Sequence, residues 1–265
     1  MLGAITLILS TALTVGEPPA RPPLIVRGGD PARGVLVNRT VGSRPFDPPV
    51  PTLPSVVFVP GFNPAPRIVH FEMAARLAEA MARRGARCNV LEWDWNAATC
   101  DSLIPRTNSE NSVAQGRLLA AHLALAGLDP GRIHLIGHSA GGMVVTSAAS
   151  VCASEWGRPI AQLTLLDPAT YYHKVIFQRL RAGSLAPLVE NYWTASPSAY
   201  GNEVRLPGVL DYHVAGHAFY LGVVCPIRSD HVSIVIWYLE TIADPNRPGG
   251  FNTNRWIERP GPVGP

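Results

Sequence analysis

Apolar residues recur along this chain in two rhythms. Short runs at 55–59, 88–93, 133–136, 160–166 and 188–195 are apolar at most positions, the pattern of strands buried on both faces. Between them, residues 68–84 and 111–126 repeat apolar side chains at helical spacing, and Gly85 and Gly127 close the two stretches. A small-residue segment from Gly141 to about residue 153 and an apolar segment at 232–242 supply two further helices. Strands alternating with helices need right-handed crossovers. That predicts an α/β fold, a mainly parallel sheet with helices on both faces.

The remaining segments lack these rhythms. Residues 17–54 are rich in proline and read as an N-terminal arm, with a candidate hairpin around Arg27-Gly28-Gly29-Asp30-Pro31. The α/β domain is expected over 55–245, and 246–265 as a C-terminal tail. Residues 1–16 read as a signal peptide. Leu2, Ile5, Leu7, Ile8, Leu9, Leu13 and Val15 form an apolar run too short to span a bilayer, and small residues follow. A secreted or periplasmic protein is the expectation.

Composition narrows the picture. The chain has 265 residues, of which 47% are hydrophobic, enough for one large core. Charged residues make up 15%, the formal charge is +3, and no block of Lys or Arg occurs. No nucleic-acid surface is therefore expected. Cys88, Cys100, Cys152 and Cys225 would form two disulfides in an exported chain, in any of three connectivities. Cys88 with Cys100 is the favoured pair, because the two bracket one strand and loop. Their spacings do not suit a zinc site.

The chemistry centres on Gly137-His138-Ser139-Ala140-Gly141. This G-x-S-x-G pentapeptide stands between a buried strand and a small-residue helix, the context of a nucleophile elbow. Gly137 and Gly141 would let strand and helix approach closely. Ser139 is the candidate nucleophile. A serine hydroxyl needs an adjacent base, itself held by an acid. Asp167, in Asp167-Pro168-Ala169 at the end of a buried strand, is the candidate acid, with Glu203 and Asp211 as runners-up. His231, just before the last helix, is the candidate base, ahead of His213 and His217. Gly216 argues against a helical metal pair at His213 and His217, so no metal is expected. His138 reads as a packing residue, since neighbours at a tight turn point apart. Oxyanion donors would be the N–H groups of Ala140 and of Phe62, in Pro60-Gly61-Phe62 after an earlier strand.

Val57-Phe58-Val59-Pro60-Gly61-Phe62, Leu91-Glu92-Trp93, Ile133 to Gly142, Leu165-Leu166-Asp167-Pro168-Ala169 and Ser229-Asp230-His231 stand in the order of a known set of motifs. In that order the chain resembles the pancreatic-type lipase family of α/β-hydrolases over roughly residues 55–242. The resemblance implies an α/β-hydrolase fold, with Ser139 as nucleophile, Asp167 as acid, His231 as base, and Phe62 and Ala140 as oxyanion donors. Pro60 stands where that family has histidine. A cysteine-bounded lid and a C-terminal lipid-binding sandwich are missing, so soluble or short acyl esters suit the site.

The expected function is a secreted serine ester hydrolase working through an acyl-enzyme. Alternatives are a thioesterase, amidase or acyltransferase, or a non-catalytic lipid-binding protein on a lipase scaffold. The expected partner is a small-molecule or lipid acyl ester, with peripheral contact at a lipid surface. No cofactor is called for. Tyr171, Tyr172, Phe177, Trp193 and Tyr200 are candidates for an acyl pocket or for ordinary core packing.

Overall fold

The computed structural model describes residues 34–61, 71–95, 98, 105–194, 205–214, 230–244 and 246–253. Seven strands form one sheet: β1 (Val35–Asn38), β2 (Ser55–Val59), β3 (Asn89–Asp94), β4 (Ile133–His138), β5 (Gln162–Leu166), β6 (Leu188–Trp193) and β7 (Leu210–His213). Their order is β1-β3-β2-β4-β5-β6-β7. Only β1 runs antiparallel, on β3; the other neighbours are parallel.

The helices are α1 (Phe71–Arg83), α2 (Pro105–Leu125), α3 (Gly141–Ser154), α4 (Thr170–Arg179) and α5 (Asp230–Ala243). Strand pleating divides the core between the two faces of the sheet. Val57, Val59, Ile133 and Leu135 pack with Leu119, Ala120 and Leu123 of α2 and with Met143, Val144 and Ala148 of α3. Val56, Phe58, Val90 and Ile136 pack with Ala74, Leu77 and Met81 of α1 and with Ile234, Tyr238 and Ile242 of α5. Each such Val, Leu or Ile contributes about 1.5–3 kcal/mol by leaving water. Helices thus cover both faces of a mostly parallel sheet, as the alternation of runs predicts.

The chain on either side of 55–245 also joins the fold. β1 closes one edge of the sheet, and Phe251 is buried beside Tyr238 in the α1/α5 core. Arg39 reaches the buried Glu92 of β3 at 2.7 Å. Burial pushes the Glu92 carboxyl up, and the Arg39 guanidinium pulls it back.

Four readings need correction. α2 begins at Pro105 rather than near residue 111. Its first turn is polar and hides the helical rhythm, while proline suits a first helical position. α4 and β7 are not anticipated: α4 carries no clear helical period, and β7 is a four-residue edge strand, mostly exposed, whose alternation is too short to stand out. The disulfide of Cys88 does not form. Cys88 is a free thiol buried in the α1/α5 core, and burial pushes it up to about 12. Cys152 is likewise free and buried in α3.

Several expectations fall outside the described residues: the leader at 1–16, the hairpin around Arg27, Phe62, Cys100, Tyr200, Glu203, His217 and Cys225.

Candidate active site

β4 ends at His138, and the chain turns at Ser139 into α3. Ser139 has φ 53°, in the left-handed region that residues with a Cβ seldom occupy. Two glycines allow the turn to be this tight. A Cβ on Gly137 would stand 2.5 Å from the Gly141 carbonyl oxygen, and one on Gly141 would meet the carbonyl oxygens of Val59 and Pro60. Strand, turn and helix therefore touch backbone to backbone. The Ser139 N–H donates to Leu166 O at 3.0 Å, and the Gly142 N–H donates to Ser139 O at 3.0 Å. Ala140 is buried at the head of α3. Among the described residues nothing accepts from its N–H. Helix heads leave such N–H groups free and carry partial positive charge.

Asp167 repeats this geometry one strand away. It follows β5 directly with φ 44°, and its N–H donates to Tyr192 O at 2.7 Å. The Ala169 N–H donates back to Ser139 O at 3.2 Å, tying the two turns together. The Asp167 side chain is fully buried, where a carboxylate needs partners. Oδ1 accepts the Thr194 N–H at 2.9 Å, and Oδ2 accepts from His231 Nδ1 at 2.5 Å.

His231 is the second residue of α5, and its side chain is 15% exposed. Because a carboxylate holds Nδ1, that nitrogen carries the proton. Nε2 of the neutral ring is then an acceptor, able to take a proton from a hydroxyl. His138 lies against it: the ring centroids are 4.6 Å apart, and His138 Nε2 is 2.8 Å from the His231 carbonyl oxygen.

The competing candidates sit elsewhere. Asp211 on β7 gives one oxygen to Asn191 Nδ2 at 2.6 Å and the other to the Arg205 N–H at 3.1 Å. His213 is exposed on β7, with its ring 4.5 Å from that of Trp193. Phe177 belongs to the α2/α3 core. No group of three or more His, Cys, Asp or Glu arranged to hold a metal occurs among the described residues.

Two supports escaped the sequence reading. The Trp95 indole N–H donates to Pro60 O at 2.9 Å, anchoring the loop that leads to Phe62. The Thr194 main chain holds Asp167, a contact that no side-chain motif signals.

The model of the alpha/beta hydrolase family matches residues 56–263. The chain belongs to the alpha/beta hydrolase family. The match is to this broad family, and the narrower pancreatic-type likeness finds no support in it. No curated protein matches the chain. Among solved structures, an esterase from Pyrobaculum calidifontis is 18% identical at TM-score 0.41, covering 79% of this chain and 83% of its own. The poly(3-hydroxybutyrate) depolymerase LpqC from Bordetella parapertussis is 17% identical at TM-score 0.48, covering 83% and 88%. An acetyl ester-xyloside bifunctional hydrolase from Caldicellulosiruptor lactoaceticus is 15% identical at TM-score 0.45, covering 86% and 99%. At such scores these likenesses carry no weight for the chemistry of this alpha/beta hydrolase.

Proposed function

We propose that this alpha/beta hydrolase cleaves carboxylic esters through an acyl-enzyme formed on Ser139. The observation that carries the reading is the buried Asp167 carboxylate on His231 Nδ1 at 2.5 Å, one strand from a left-handed serine. In this mechanism His231 Nε2 takes the hydroxyl proton as Ser139 Oγ attacks the ester carbonyl carbon. Asp167 fixes the tautomer and stabilises the imidazolium that forms. The Ala140 N–H, and by expectation that of Phe62, donate to the oxyanion, each worth roughly 3 kcal/mol of transition-state stabilisation. His231 then returns its proton to the departing alkoxide oxygen. Water, deprotonated by His231, attacks the acyl-enzyme, releasing the acid and regenerating Ser139.

The test compares the protein with Ser139→Ala on nitrophenyl esters from short to long acyl chains. Loss of about 10⁴-fold or more in kcat is expected in the variant, with an optimum at short chains. Activity equal in both would sink the mechanism. Turnover confined to thioesters or amides, still dependent on Ser139, would keep the nucleophile and move the substrate class.

A further inference from the structure

His138 does more than pack. It is the last residue of β4, 1% exposed, and pleating sends it to the same face as His134 and Ile136, the face covered by α1 and α5. There it meets the amino end of α5. A carbonyl oxygen can only accept, so the 2.8 Å contact requires that His138 Nε2 carry a proton and donate it to His231 O. His231 is then held twice, at Nδ1 by Asp167 and at its main chain by His138. A hydrogen bond at Nδ1 alone leaves the ring free to swing about that contact. The bond to the main-chain carbonyl adds a second anchor, at the backbone from which the ring extends, so that Nε2 is held relative to β4 as well as to Asp167.

We propose that His138 is a positioning residue for the base: its Nε2–H, bonded to the His231 carbonyl, sets the place from which His231 works on Ser139. This rests on the reading of His231 as the general base. Because His138 adjoins Ser139 in sequence, the bond ties base and nucleophile to one strand end. A movement of α5 relative to β4 is thereby resisted at the point where misplacement costs most.

Two substitutions separate donation from packing. His138→Phe keeps an aromatic ring against His231 and loses the donor; His138→Gln loses the ring and carries an amide N–H to about the reach of Nε2. The assays are kcat and KM on the best nitrophenyl ester, the rate of Ser139 labelling by a fluorophosphonate, and the melting temperature. Positioning predicts that His138→Phe lowers kcat and the labelling rate by about 10- to 100-fold with KM little changed. His138→Gln should stay within about threefold of the unsubstituted protein. The reverse order, or equal rates in both variants, would overturn the proposal while the Ser139 mechanism stood. Should His138→Phe fail to fold, His138→Leu replaces it as the variant without a donor: a kcat about 10- to 100-fold lower than in His138→Gln supports donation, and equal rates in the two overturn it. If the unsubstituted protein labels no faster than Ser139→Ala, the mechanism fails and positioning falls with it.

Discussion

A Cβ on Gly61 would stand 2.6 Å from Ser139 Cβ and 3.2 Å from its Oγ. The loop after β2 thus rests directly on the serine, and Trp95 holds that loop from behind through Pro60 O. The face of Gly61 is the wall that sets the serine's place. We predict that Gly61→Ala costs about 1–3 kcal/mol of stability by overpacking and displaces Ser139 enough to lower kcat by about 100-fold. Gly131→Ala is the control. Its new methyl would find its nearest atoms at 3.5 Å, so it should stay within about 0.5 kcal/mol. Urea unfolding and ester turnover on both variants check this; normal turnover in Gly61→Ala would mean the wall yields.

Asp167→Asn should separate the orienting role of the carboxylate from its bulk. An amide at this place keeps an acceptor for the Thr194 N–H but cannot stabilise an imidazolium. If its NH2 faces His231, it also favours the wrong tautomer. A fall in kcat of about 10⁴-fold is expected. Asp211→Asn should leave turnover nearly intact, because both its oxygens are engaged by Asn191 and Arg205. The opposite ranking would move the acid to another carboxylate.

The left-handed turn at Ser139 is a local cost of about 1–3 kcal/mol that a glycine would not bear. Ser139→Gly should therefore be about 1 kcal/mol more stable to urea than Ser139→Ala, and by the proposed mechanism neither should turn over esters. Matched denaturation curves of the two variants measure it. A more stable alanine variant would contradict stored strain at the turn.

Much of this was legible in the order of residues, for identifiable reasons. Strands β2 to β6 are covered on both faces, so they appear as apolar runs with no alternation to decode. Ser139 and Asp167 follow such runs directly, where a polar residue stands out. β7 was hidden because Leu210, Asp211, Tyr212 and His213 alternate over only four, mostly exposed positions, too short a stretch to stand apart from a loop. Cys88 looked bridged by proximity to Cys100 in sequence, while the pleat buries its thiol in the α1/α5 core. The His138–His231 contact spans 93 positions, and neither residue's neighbours carry a sign of it. Local pattern locates strand ends; it does not report which helix start reaches them.

His134 supplies a pH prediction with a definite sign. Its ring is fully buried beneath Phe251, with Nε2 at 2.8 Å from Thr164 Oγ1, and burial pulls it down from 6.5 to about 3. A histidine lowered in the folded state binds its proton more readily when unfolded. Stability is therefore undiminished above about pH 6.5 and is lost as pH falls from there towards 3, by up to about 1.4 kcal/mol per pH unit from this residue. Below 3 both states are protonated and the loss stops growing. His122, lowered in the same direction by burial, adds a loss of the same sign. His134→Gln keeps a polar partner for Thr164 and cannot titrate. Urea midpoints between pH 7 and 4 should fall more steeply for the unsubstituted protein than for His134→Gln. Parallel slopes would mean that His134 reaches water, and so titrates normally, in the folded state.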